Sequence, residues 1–163
     1  MKQQIGSLFI LFLLYAASLK AQNANSEAKA FGEQSFAAAL KSADELSGFY
    51  PELLNYIRFV ESMGLSSNQT DLLKNEAEIN YDKSRKNFVK SCRFMHHYLK
   101  EWRETHGSLN LAEVNVQLES DGTYWISWAI EDELEGGIER FRFQAFRQNA
   151  QWFILDGFYT NSQ

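Results

Sequence analysis

The 163-residue sequence predicts an α+β fold in which N-terminal helices pack on a four-stranded antiparallel meander. Three observations carry that expectation. Before Gly107 the apolar residues recur at spacings of three and four. After it they alternate with polar residues at a period of two. The chain also holds one proline, Pro51, and has neither an internal repeat nor a Ser/Gly-rich tract that would mark a linker.

The first residues stand apart from the rest. "MKQQIGSLFILFLLYAASLKAQ" joins a short start carrying Lys2 to an apolar run from Leu8 to Ala17, followed by small and polar residues. A bilayer span takes about 20 apolar residues, so this shorter run suits the core of a signal peptide, residues 1–21. Cleavage after Ala21 leaves Leu19 at the third position back, and cleavage after Ser18 leaves Ala16 there. No cysteine follows the run to take a lipid anchor. The expected product is one exported domain, residues 22–163, periplasmic or secreted and without a membrane anchor. Its 142 residues suffice to bury about 70% of the unfolded surface.

Removing Lys2 and Lys20 leaves 14 basic residues against 21 acidic ones, a net charge of −7. That sign repels phosphates and argues against a nucleic-acid partner. Cys92 is the only cysteine, so no intramolecular disulfide can form and stability must come from the core. Aromatic residues, 15% of the chain, supply its material.

From Ser26 to Lys41 the residues Ala30, Phe31, Phe36, Ala37 and Leu40 fall at helical spacing, and Glu27 suits the positive end of the helix dipole. After a break at "SADELSGFYP", a second series runs through Leu53, Leu54, Ile57, Val60 and Met63, with Gly64 as its stop. A long helix is expected over residues 69–105, ended by Gly107. It is best defined where Phe88, Cys92, Met95, Leu99 and Trp102 alternate spacings of four and three. Its apolar stripe thins between Asn80 and Ser84, which leaves open whether the helix breaks there.

The strands follow. Val114, Val116 and Leu118 alternate with Glu113, Asn115, Gln117 and Glu119. "SDG" at 120–122 supplies a three-residue hairpin loop with glycine in the left-handed position. That closure pairs Leu118 with Tyr124, Val116 with Ile126 and Val114 with Trp128 on one face. A symmetric loop at "DELEGG", 132–137, sets Ile126 opposite Phe143, Trp128 opposite Phe141, Ser127 opposite Arg142 and Ala129 opposite Arg140. A last hairpin through Asn149 and Ala150 returns the chain as "WFILDGFY", residues 152–159, apolar on both faces. Which of its faces is buried stays open, since a shift of one residue in the turn exchanges them. A strand so apolar is expected inside the sheet or against a partner.

The order of "FGEQSFAAALKSAD" at 31–44, "FVESMGL" at 59–65, a long helix and strands ending in "QWFILDG" at 151–157 resembles the nuclear transport factor 2-like superfamily. More narrowly, it is similar to the small exported members common in Bacteroidetes. The likeness covers most of residues 27–160 and rests on element order and hydrophobic spacing, with no diagnostic motif. It implies a cone-shaped roll in which a curved sheet wraps a helix, with room for a pocket at the wide end and dimers through the outer sheet face. That superfamily holds isomerases, cyclases, dehydratases and many binding proteins, so it does not choose among activities.

Four groups of residues are candidates for chemistry. Cys92 and His96 stand four apart on the long helix, a spacing that can share a metal. Zinc wants three or four ligands, however, while His97 points away and His106 lies nearly three turns further on, so no metal or other cofactor is expected. His96 could act as a general base oriented by Tyr124 or Asp156, against the plainer account of a half-buried, hydrogen-bonded histidine. Asp156 pairs with a neighbouring arginine or lines a pocket, depending on the parity of the last strand. Trp125 lies on the polar face opposite Trp128, between Arg140 and Arg142 on one side and Glu113, Asn115 and Gln117 on the other. Tryptophan with arginine is the composition of interface hot spots, and arginine stems shielding an exposed ring is the plainer alternative. The expectation is therefore a noncatalytic exported binding domain that associates through its sheet with itself or another exported protein, with room for a small apolar ligand in the cone. The alternative is an isomerase- or dehydratase-type pocket enzyme using His96 as acid or base.

Overall fold

A computed structural model describes residues 2–131 and 137–160, with residues 2–21 described by their backbone alone. The order is helical and then stranded, as the change of period requires. Helices α1 (Lys2–Lys41), α2 (Ala43–Ser47), α3 (Leu53–Ser62) and α4 (Ser67–His106) precede strands β1 (Asn110–Leu118), β2 (Tyr124–Glu131), β3 (Ile138–Gln148), β4 (Gln151–Ile154) and β5 (Tyr159–Thr160). The side chains of the apolar run Leu8 to Ala17, and the acidic loop at 132–136, lie outside the described residues. Among the described residues, no helix is long and apolar enough to cross a membrane.

The long helix α4 is continuous through Asn80 to Ser84. It begins earlier than its apolar stripe, because Ser66 and Gln69 form a capping box: the Ser66 hydroxyl accepts from the Gln69 backbone N–H while Gln69 Oε1 accepts from the Ser66 N–H. Gly107, at φ 77°, ends it. The short helix α2 falls in what read as a break, and is started by Ser42, whose side chain accepts from the Glu45 N–H.

The strands form an open antiparallel sheet in the order β1-β2-β3-β4, and β5 also pairs with β3. Every pairing expected for the first two hairpins is present: Leu118 with Tyr124, Val116 with Ile126, Val114 with Trp128, Ile126 with Phe143 and Trp128 with Phe141. Gly122 takes φ 83° in the first loop, and Asn149 and Ala150, at φ 51° and 63°, make a two-residue turn of the kind that matches the strand twist.

The last segment departs from the single strand expected over 152–159. Ile154 pairs with Ala145 and the Leu155 N–H donates to the Gln144 carbonyl, whereas Tyr159 pairs with Arg142. Three residues, 156–158, therefore stand where one would fit, opposite Phe143. This bulge dips onto α4, where the Phe158 N–H donates to Ser91 Oγ at 3.1 Å and a Cβ on Gly157 would lie 2.7 Å from that oxygen. The fourth strand is thus split in two, and β4 lies at the edge of the sheet rather than inside it. Its two apolar faces are both covered from within the chain. Trp152 stacks on Phe31 of α1, while Phe153 stacks on Phe146, which in turn stacks on Phe59 of α3.

The main core lies between α1, α4 and one sheet face. Trp128, Phe141, Phe143, Ile126 and Ile130 are fully buried there against Cys92, Met95 and Leu99. Trp128 is satisfied as well as buried, since its indole N–H donates to the Gly32 carbonyl at 2.9 Å. Gly32 lets α1 approach this closely: a Cβ there would fall 2.5 Å from Val114 Cγ1 and 2.9 Å from Ile126 Cγ2.

Candidate functional site

Among the described residues, two surfaces stand out beside the core. The first is the outer face of the sheet. Alternation along β2 turns Trp125, Ser127 and Ala129 away from α1 and α4. The register sets them between Gln117, Asn115 and Glu113 of β1 and Gln144, Arg142 and Arg140 of β3. At one end this face is capped by α3 through the cluster of Phe59, Phe146 and Phe153. Toward β1 no described element covers it. There the Arg142 guanidinium sits 4.8 Å from the Trp125 ring centre, and Tyr159 meets the same ring edge-on at 6.3 Å. Ile138, which pairs with Glu131 on this face, is 55% exposed, and Tyr159 is 42% exposed. The rows flanking Trp125 differ in sign. Arg140 and Arg142 stand on β3, while on β1 Glu113 accepts from the Asn115 amide and Glu119 from the Gln117 amide.

The second surface is a cleft of about 580 Å³ between α3, α4 and the end of the sheet. The face of α4 that lines it is the same stripe that reaches the core further along. Leu73, Ala77, Asn80, Tyr81, Ser84 and Asn87 continue into Phe88, Cys92, Met95 and Leu99. The thinning of that stripe in the sequence is therefore the mark of the cleft and not of a broken helix. Tyr50, Pro51 and Tyr56 form the opposite wall, and Gln144, Leu155 and Asp156 close the end. Tyr81 donates to the Pro51 carbonyl at 3.1 Å, and Lys74 reaches Glu61 at 2.8 Å, tying α4 to the preceding loop and to α3.

Two of the tyrosines here, Tyr50 and Tyr56, are held in the protonated form. Burial, helped by the neighbouring Tyr81, pushes the Tyr50 phenol up from its usual range, and burial with the nearby Glu76 carboxylate does the same for Tyr56. Asp156 lines this cleft instead of pairing with an arginine. Its carboxylate accepts from the Tyr159 hydroxyl and, at 2.7 Å, from the Gly157 N–H. Burial and the Asp156 bond together push the Tyr159 phenol up to about 12.

His96 is placed elsewhere. Its Nδ1 donates to the Ala39 carbonyl at 2.7 Å, satisfying a carbonyl in the last turn of α1. Neither Tyr124 nor Asp156 contacts it: Tyr124 meets Trp152 edge-on, and Asp156 is engaged as above. This is the half-buried, hydrogen-bonded histidine, and it is not among the residues lining the cleft. Cys92 is fully buried in the core, with its thiol pushed up to about 12 by burial. Among the described residues no group of three or more His, Cys, Asp or Glu is arranged to hold a metal ion. The inner face of the sheet is filled by Phe31, Phe36, Trp128, Phe143 and Phe158 packed ring against ring.

In comparison with known proteins, the chain matches no family model, no curated protein and no solved structure.

Proposed function

We propose that this protein is an exported, noncatalytic binding domain of the nuclear transport factor 2-like type that pairs with a second copy of itself through the outer face of its sheet. The observation that carries the proposal is the Trp125 cluster: a tryptophan with an arginine over its ring and an exposed tyrosine at its edge, on a sheet face that α3 leaves uncovered and that carries the exposed Ile138 further along. The charge rows favour a like partner. Two copies related by a two-fold axis running along β2 set Arg140 of each β3 over Glu113 of the other β1, with the Trp125 residues facing each other. The superfamily assignment is supported by the element order and by α4 lying across the apolar sheet face, and export by the charged start and short apolar run of residues 1–21.

The test expresses the full sequence in a bacterial host and purifies the product from outside the cytoplasm. Its mass should correspond to cleavage after Ser18 or Ala21, and recovery of an uncleaved cytoplasmic chain defeats the export proposal. Light scattering over a concentration series should then report a dimer that Trp125→Ala converts to a monomer with an unchanged far-ultraviolet spectrum. A monomer in both cases, or a dimer indifferent to Trp125, defeats pairing through this face. A monomer that captures another exported protein by way of Trp125 replaces the second copy with that partner.

A further inference from the structure

The cleft between α3 and α4 has a lining that neither the core nor the outer face explains. On α4 the inward stripe is apolar from Phe88 onward, yet toward the N-terminus it carries Asn80, Tyr81, Ser84 and Asn87 at the same spacing. Asn80 and Tyr81 are half-buried along the cleft wall and Ser84 and Asn87 are exposed at its mouth, so this polar stretch of the stripe meets the cleft and not the core. We propose that this cleft is a binding site for a neutral, polyhydroxylated ligand, a short oligosaccharide. The inference is independent of pairing through the outer face.

Four properties select that class. Donors and acceptors are both plentiful, since each amide offers both and each hydroxyl can act as either; a ligand bearing vicinal hydroxyls can use both at once. The walls also present ring faces for the apolar side of a sugar. Tyr50 and Tyr81, half-buried and 5.9 Å apart centre to centre, supply the rings of the walls, and Tyr50 is backed by the buried Phe88 at 5.0 Å. The fixed charges are mixed, with Lys83 against Glu76 and Asp156, so the site offers no cluster of cations for a polyanion. Asp156 already accepts two hydrogen bonds, which weakens it as the anchor of a cationic ligand.

The lining is also held in place before any ligand arrives. Tyr81 is fixed by the Pro51 carbonyl, and the Gln144 amide nitrogen donates to Thr123 Oγ1 at 2.8 Å. The volume lies within the roughly 300–1,000 Å³ usual for ligand sites. The raised phenols of Tyr50 and Tyr56 agree with this picture, because they remain hydroxyl donors throughout the physiological range.

The experiment titrates the exported protein with neutral oligosaccharides of glucose, xylose, mannose and N-acetylglucosamine, read by saturation-transfer nuclear magnetic resonance and calorimetry. Spermidine and heparin are run alongside. At least one neutral sugar should bind at millimolar concentration or below. Asn80→Ala with Asn87→Ala should weaken it about tenfold or more, as should Gln144→Ala in a separate chain. The helix substitutions favour helix formation, and Gln144→Ala alters a strand, so a shared loss cannot be assigned to one unfolded element. Trp125→Ala should leave sugar binding intact. The proposal is overturned if no neutral sugar binds at millimolar concentration, if binding survives both sets of substitutions, or if only spermidine or heparin binds.

Discussion

The two faces of the sheet carry the same kinds of side chain to opposite ends. On the inner face Trp128 is fully buried, packs against Phe36, Phe143 and Phe158, and gives its indole N–H to a helix carbonyl. On the outer face Trp125 is half-buried under an arginine and a tyrosine whose other sides meet water. Three residues apart on one strand, they differ only in parity. That single difference converts a large ring from a source of stability into a surface feature, since hydrophobic gain follows the area removed from water. The outer face itself divides again where α3 covers Phe146, so the uncovered part is a local feature of the fold.

The comparison breaks most visibly at Trp128. Trp128→Ala should lower the unfolding free energy by about 3–5 kcal/mol in chemical denaturation, because it empties a core position and strands the Gly32 carbonyl contact. A loss as small as that of a surface substitution would mean that the inner face is not the core. Gly32→Ala tests the same contact from the helix side and should cost about 1–3 kcal/mol, as α1 is pushed off Val114 and Ile126. An unchanged midpoint would show that the close approach of α1 is not needed.

Trp125→Ala sharpens the contrast from the other side. In the monomer at high dilution it should cost no more than about 0.5–1 kcal/mol, the worth of an exposed cation–π contact, whatever it does to pairing. A large loss there would assign Trp125 to the core after all.

The smallest expected effect concerns Cys92. Its thiol is raised by burial from 9.0 to about 12, so the folded state favours the protonated form. The stability tied to that proton is complete below about pH 9 and is lost as the pH climbs through about 12. At neutral pH a thiol reagent should label the chain only in denaturant. Stoichiometric labelling of the native protein would show that α4 opens from the sheet.

Much of this was legible along the chain. The helices at 53–62 and through 105, the glycine stops and the register of β2 on β3 and on β1 from Val114 onward follow from spacing and turn chemistry, which act over a few residues; the irregularity of β1 between Leu111 and Glu113 does not. The extra start of α4 was also written locally, in the Ser66 and Gln69 pair, though its apolar stripe begins later. What remained hidden was of another kind. The cleft joins Tyr50 and Tyr56 to residues of α4 and to Gln144 and Asp156, positions nearly a hundred residues apart, and no local pattern can state that they meet.

The amino-acid sequence alone thus determined the order of the elements, the pairing of three strands and which tryptophan is core, because periodicity and turn type are properties of neighbouring residues. Only the tertiary structure decided the parity of the last strand, its division by the Gly157 bulge, the use of His96 to satisfy α1 and the presence of the cleft. Each of these depends on which element lies across from which. "WFILDGFY" is apolar on both sides, so either parity satisfies its own composition. The choice fell to α1 and α3, which cover its two faces and accept Trp152 on one and Phe153 on the other.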